Sequence, residues 1–304
     1  MRQTFAETIL QLTEKDDRIF LLTADMGFSV LEKFIKKFPD RYLNVGVAEA
    51  DMIGIAAGLA MSGKIVYAYT MSHFLTARCY EQIKIDLCYQ NTNVKLVGSG
   101  GGLTYGSAGA THHSLEDISI MRSLPNMCVV CPGDPLETRY AIKASLKHEG
   151  PVYVRLGKTD PNVYESDKID FKIGKGILLR KGGDVNILAT GNMLWNAKAA
   201  ADRLEADGLK PTVVSMHTIK PLDVDLVEDL ARTGNPMFTV EEHSIIGGLG
   251  SAVSEVLAEL GCSAHFRRIG LPDEFCRKVG CQDHLRKECG LDVDGIYSII
   301  KKSL

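Results

Sequence analysis

Glu49 is the residue whose surroundings demand most of its chemistry. It stands in Asn44-Val45-Gly46-Val47-Ala48-Glu49-Ala50-Asp51-Met52-Ile53-Gly54, among small and apolar neighbours. Val45 and Val47 read as a short strand, and the small residues Gly54, Ala56, Ala57, Gly58 and Ala60 read as a tightly packed helix. A carboxylate at the mouth of such a helix is partly buried, and a buried carboxyl needs a partner. Two roles are open to it: a first-turn glutamate facing the helix dipole, or a working proton-transfer group.

Three other polar segments accompany it. Thr23-Ala24-Asp25-Met26 follows the first strand and leads to Ser29; Ser72-His73-Phe74-Leu75-Thr76-Ala77-Arg78 follows a later one; Gly106 to His113 is glycine-rich and ends on His112 and His113. Loops at the carboxyl ends of parallel strands converge on one crevice, so these groups can meet. Phe74 serves either as a crevice wall or as ordinary core. Arg78 reaches the crevice or makes a helix-surface ion pair. One of the two histidines reads as a plain loop or cap residue.

The elements that position these residues alternate helix and strand throughout, which predicts α/β layers with mostly parallel sheets. The pattern gives helix 3–14, strand 18–23, helix 29–37, strand 65–69, a helix over 75–90, strand 94–98, strand 127–131 and helix 135–148, where Pro132-Gly133-Asp134 supplies the turn and cap. A second unit follows: strand 185–190, helix 194–207, strand 211–216, helix 223–232, strand 237–241 and helix 250–260. Two doubly wound domains are expected, over 1–165 and a smaller 185–304, joined by a linker at 166–184. The glycine clusters Gly98–Gly102 and Gly247–Gly250 follow strands but lack the rest of a dinucleotide fingerprint, and read as tight turns.

The composition narrows the class. With 304 residues, 45% of them hydrophobic, the chain can bury a large core, and a net charge of −3 gives no case for nucleic acid. No apolar run suits a signal peptide or a membrane span, so a soluble cytoplasmic protein is expected. The eight cysteines fit reduced thiols. Cys128 and Cys131 have metal-ligand spacing, but no second pair answers them.

In the order and spacing of Gly46-Val47-Ala48-Glu49-Ala50-Asp51-Met52, Gly109-Ala110-Thr111-His112, Met121-Arg122-Ser123-Leu124-Pro125-Asn126, Val154-Arg155-Leu156 and Glu242-His243-Ser244, the chain resembles the C-terminal half of a transketolase, and most closely the separate C-terminal subunit of a split bacterial transketolase. The resemblance covers nearly the whole length. It implies a pyrimidine-binding domain of thiamine diphosphate enzymes followed by the transketolase C-terminal domain. It also implies transfer of a two-carbon ketol unit from a ketose to an aldose.

By the same resemblance, Glu49 matches the glutamate that hydrogen-bonds N1′ of the aminopyrimidine and favours the imino tautomer. Phe74 matches the aromatic that stacks on that ring, and Asp25 and Ser29 lie in the loop beside cofactor and substrate. His112 matches the histidine that faces the substrate oxygens, while Arg155 and Arg2 match positions that hold the sugar-phosphate anion; Arg78 joins the substrate side.

Departures from the family text matter. Gly100 stands where a histidine is usual and Ala108 where an aspartate is usual, which leaves room and removes polar contacts. A branched or sulfonated ketose would suit that change better than the standard pentose phosphate. The Gly-Asp-Gly motif that holds Mg2+ or Ca2+ and the diphosphate is absent from the sequence. The resemblance therefore implies a partner, an N-terminal subunit carrying that motif, in an α2β2 assembly. Three rival readings are the β subunit of a 2-oxo acid dehydrogenase decarboxylase, a 1-deoxyxylulose 5-phosphate synthase fragment, and a non-catalytic paralogue.

Overall fold

The structure, a computed structural model, describes residues 1–158, 161–262 and 265–304. The first part of the chain runs α1 (Arg2–Thr13), β1 (Ile19–Thr23), α2 (Glu32–Lys37), β2 (Tyr42–Asn44), α3 (Glu49–Met61) and β3 (Ile65–Met71). A π-helical turn at Phe74–Arg78, the short α4 (Tyr80–Gln82) and a second π-helical segment at Ile83–Tyr89 lead into β4 (Val94–Ser99). Then come α5 (Asp117–Arg122), β5 (Cys128–Val130), α6 (Pro135–Lys147) and β6 (Val152–Leu156). The second part holds β7 (Ile177–Arg180), β8 (Val185–Ala189), α7 (Leu194–Ala206), β9 (Pro211–Ser215), β10 (Thr218–Lys220), α8 (Val224–Arg232), β11 (Met237–Ser244), α9 (Leu249–Glu259), β12 (Phe266–Leu271), α10 (Gln282–Glu288) and α11 (Val293–Ser303).

Two sheets result, in the orders β10-β5-β6-β4-β3-β1-β2 and β12-β11-β8-β9-β7. Among the described residues, the pairings between these strands are parallel except β10 with β5 and β7 with β9. Strands β4, β6 and β8 are buried along their whole length, as expected of parallel strands covered by helices on both faces. The carboxyl ends of β1, β3, β4 and β6 therefore open on one edge. Asp134 caps α6 as its sequence suggests, accepting from the Glu137 amide at 2.8 Å with Pro135 at the first helical position.

Three features differ from the sequence reading. The strand expected around Val45 and Val47 lies earlier, at Tyr42–Asn44. Gly46 takes φ +76°, which ends the extended run and leaves Val47 exposed. The segment 166–184 contains β7, the antiparallel edge strand of the second sheet. Finally, β10 crosses back from the second part to extend the first sheet, with Thr218 opposite Val130.

Membership of β11 in the second sheet buries Glu241 beneath the start of α9, where the amides of Leu249 and Gly250 donate to it at 2.7 and 2.8 Å. Burial pushes this carboxyl up from 4.5 to about 7, against the pull of those amides. A raised carboxyl stabilises the fold fully below its unfolded value, and that contribution is lost as pH rises through the folded one. Urea midpoints of the parent should therefore fall relative to Glu241→Gln between about pH 4.5 and 7. Parallel pH profiles for the two proteins would show that folding leaves the Glu241 carboxyl unshifted.

Candidate active site

The edge formed by β1, β3 and β4 gathers most of the residues singled out by the sequence. Glu49 is the first residue of α3 and is only 4% exposed. Its position is fixed from behind by Asn44, whose Oδ1 accepts from the amides of both Gly46 (3.0 Å) and Asp25 (2.9 Å). One side chain thus ties the loop after β1 to the turn that delivers Glu49. Asp25 and Ser29 sit on that loop, exposed, both with positive φ (47° and 61°). Such backbone is costly for non-glycine residues and is held here by local hydrogen bonds, including one that the Ser29 amide donates to Glu32 Oε1.

Opposite stands the π-helical turn after β3. Phe74 and Arg78 are one turn apart, and the Arg78 guanidinium lies 3.8 Å from the centre of the Phe74 ring. The same guanidinium donates to Glu49 Oε2 at 3.1 Å. His112 meets the ring edge-on, with centroids 5.4 Å apart, and its Nδ1 is 2.9 Å from the Thr111 hydroxyl. Glu49, Arg78, Phe74 and His112 thus form one continuous cluster. His113 differs in character: it is buried, and burial pulls its imidazole below the ordinary value, favouring the neutral form.

Arg155 and Gly100 are both closely surrounded. Arg155 is 4% exposed. Its Nε donates to Asp117 Oδ2 at 2.7 Å, and Nη2 donates to the carbonyls of Ser114 (3.0 Å) and Glu242 (2.9 Å). Burial is the strongest single influence and would raise the Asp117 carboxyl, but the charge of Arg155, with His243 and the hydrogen bonds from Arg155 and Tyr153, together offset it and hold the acid below its ordinary value. The guanidinium thereby rivets the first sheet's loops to β11 of the second.

Gly100 leaves no room. A Cβ there would lie 2.1 Å from the Tyr105 ring, which fills the space that the missing side chain was expected to open. Ala108 is exposed on the neighbouring loop. Arg2, at the start of α1, keeps a buried Nε with no hydrogen-bond partner. The sequence reading passed over Asn44, Asp117 and Tyr105. Asn44 lay inside the quoted Glu49 segment, whereas Asp117 and Tyr105 act through contacts that local patterns do not carry.

Two tandem α/β sheets, with a buried glutamate opening a helix on the crevice of the first, define a pyrimidine-binding domain of thiamine diphosphate enzymes followed by a transketolase C-terminal domain. Comparison with known families agrees: residues 1–162 match the transketolase pyrimidine-binding domain and residues 174–296 the transketolase C-terminal domain. The chain belongs to the transketolase family, among relatives built of these two domains.

It is 43% identical, over 96% of this chain and 90% of the relative, to the 6-deoxy-6-sulfo-D-fructose transketolase subunit SqwH of Clostridium sp. strain MSTE9. It is 41% identical to an apulose-4-phosphate transketolase subunit of Phocaeicola vulgatus, over 97% and 94% of the two chains. A split-gene transketolase solved as an inactive β4 tetramer superposes with a TM-score of 0.90 at 38% identity, covering 100% of this chain and 97% of that one. The family's domains imply dependence on thiamine diphosphate.

The Arg155 junction yields a direct test. Removing one partner of a buried, hydrogen-bonded ion pair costs about 3–5 kcal/mol, so Arg155→Ala should lower the unfolding free energy by that amount in urea titrations. A loss below about 1 kcal/mol would mean that the pair is solvated rather than a rivet.

Proposed function

We propose that this chain is the C-terminal subunit of a thiamine diphosphate-dependent transketolase, active only with an N-terminal partner that carries a Gly-Asp-Gly motif. The observation that carries the reading is Glu49: a carboxylate out of water, at a helix start, paired with an arginine that stacks on an aromatic ring. This set fits the pyrimidine end of the cofactor, which offers a flat ring and a protonatable nitrogen. Mg2+ or Ca2+ and the diphosphate fall to the partner. The relatives named as subunits support that division, as does the solved split-gene transketolase described as an inactive β4 tetramer.

An α2β2 assembly suits the surface around the site. α3 is apolar on nearly every side, and Gly54 and Gly58 on its outer face meet nothing within 4 Å. Phe28 and Val47 next to it are 73% and 72% exposed. A helix hydrophobic all round belongs in an interior or an interface.

When bound, thiamine diphosphate supplies the electron sink for the two-carbon fragment. Glu49 would share a proton with N1′ of the bound ring. Phe74 orients the ring by stacking. The Thr111 hydroxyl engages His112 Nδ1, which leaves Nε2 as the nitrogen that holds or moves a proton on a substrate oxygen. Asp25 and Ser29 line the entrance from the β1 loop. Arg155, and Arg2 with its buried Nε that has no hydrogen-bond partner, are the arginines for an anionic sugar tail.

A modified ketose, such as a sulfonated or branched sugar, fits this altered tail better than a standard pentose phosphate, and the relatives' substrates point the same way. No helix among the described residues is long and apolar enough to cross a membrane. We take the place of action to be carbohydrate metabolism in the cytoplasm.

The test is ketol transfer by the reconstituted pair. Glu49→Ala should cut the rate by about 10²–10⁴-fold, the range for a lost proton-transfer group, with a sulfonated or branched ketose preferred over xylulose 5-phosphate. Undiminished transfer by the variant would overturn the catalytic assignment. Equal or better use of xylulose 5-phosphate would overturn the substrate assignment alone.

A further inference from the structure

The Arg78 guanidinium makes both contacts that an aminopyrimidine would need in this crevice. It donates to the Glu49 carboxylate at 3.1 Å and covers the Phe74 ring at 3.8 Å from its centre. The chemical likeness is close. A guanidinium is planar, delocalised and cationic, with N–H donors in its plane and a face that stacks on aromatics. A protonated pyrimidine ring offers the same plane, donor and face.

The two cannot share the seat. His112 and His73 stand 5.4 and 5.6 Å from the Phe74 centroid, and the guanidinium that covers a face of the ring is the one bonded to Glu49. The Glu49 side chain is 5% exposed and that of Arg78 48%, which places the acid at the floor and the arginine at the mouth. Left bare, the buried carboxylate would face an apolar wall uncompensated, a costly state. Arg78 answers it, and its long stem can carry the charge back to water.

We propose, resting on the function given above, that Arg78 is a placeholder for the pyrimidine: it occupies the ring's seat in the cofactor-free chain and must swing out when the cofactor enters. Before loading, it pairs with the Glu49 carboxylate, holding it in position, and covers the Phe74 face. On loading, one Glu49 contact is exchanged for another, so the acid is never left unpaired for long. The exchange also weakens apparent cofactor affinity by the fraction of time the seat is filled.

The test is thiamine diphosphate binding with Mg2+ to the complex with a Gly-Asp-Gly partner chain, by calorimetry and stopped-flow fluorescence. Arg78→Ala should bind faster and about 5–20-fold more tightly than the parent, because no competitor fills the seat. Arg78→Met, which keeps the apolar stem, should change in the same direction and serves if the alanine variant does not fold. In the isolated chain, Arg78→Ala should lower the melting temperature, and the double variant Glu49→Gln/Arg78→Ala should regain most of it.

Weaker or unchanged binding in both arginine variants would overturn the placeholder, marking Arg78 as a direct contact or a bystander. A parent complex that binds no cofactor at all would instead sink the function on which the placeholder rests.

Discussion

A carboxylate held out of water must be answered by a cation or a donor, and the first domain is arranged around that requirement at Glu49. Parallel strands bring the loops after β1 and β3 to one edge, and Asn44 ties the β1 loop to the turn before α3. The small residues of α3 let the helix start close against the sheet, so Glu49 arrives buried. The π-helical turn then puts Phe74 and Arg78 where they can flank it. Each of these choices makes little sense for stability alone. A hydrophobic side chain at position 49 would remove the need for a partner.

A second buried charge plays a structural part. Asp117, Arg155 and the Glu242 carbonyl join the two sheets, and the Glu242 carboxylate itself accepts from the Leu103 amide at 2.6 Å and from Gln282 at 2.8 Å. The C-terminal domain is thereby locked to the loops that carry His112. Rigid placement of those loops matters, because a proton-transfer group displaced by even an ångström loses much of its effect. The same lock engages Nε and Nη2 of Arg155, and Tyr105 fills the space over Gly100.

Much of the fold was legible because hydrophobic periodicity reports burial directly. Strands β4, β8 and β9 and helices α6 and α7 fall within a residue or so of their expected bounds. The strand placed at Val45 was not, because the positive φ of Gly46 interrupts an apolar run that looks continuous. Strands β7 and β10 escaped for another reason. Each is short and lies at a sheet edge, antiparallel to its neighbour, so its identity comes from the strand it pairs with.

The site divides the same way. Glu49, Phe74 and His112 could be grouped because each follows a strand end. Arg155 could not be judged, since its fate is set by Asp117, 38 residues earlier, and Glu242, 87 residues later. Tyr105 filling the place above Gly100 is likewise a matter of loop conformation, which residue types do not disclose.

The central claim is that this chain supplies one half of a cofactor site, and titration calorimetry tests it most directly. Thiamine diphosphate with Mg2+ would be titrated into this chain, into a Gly-Asp-Gly partner chain, and into their mixture. The account predicts weak or undetectable binding to each alone and tight, saturable binding to the mixture, with one site per pair of unlike chains. Tight binding to this chain alone, or none to the mixture, would contradict it.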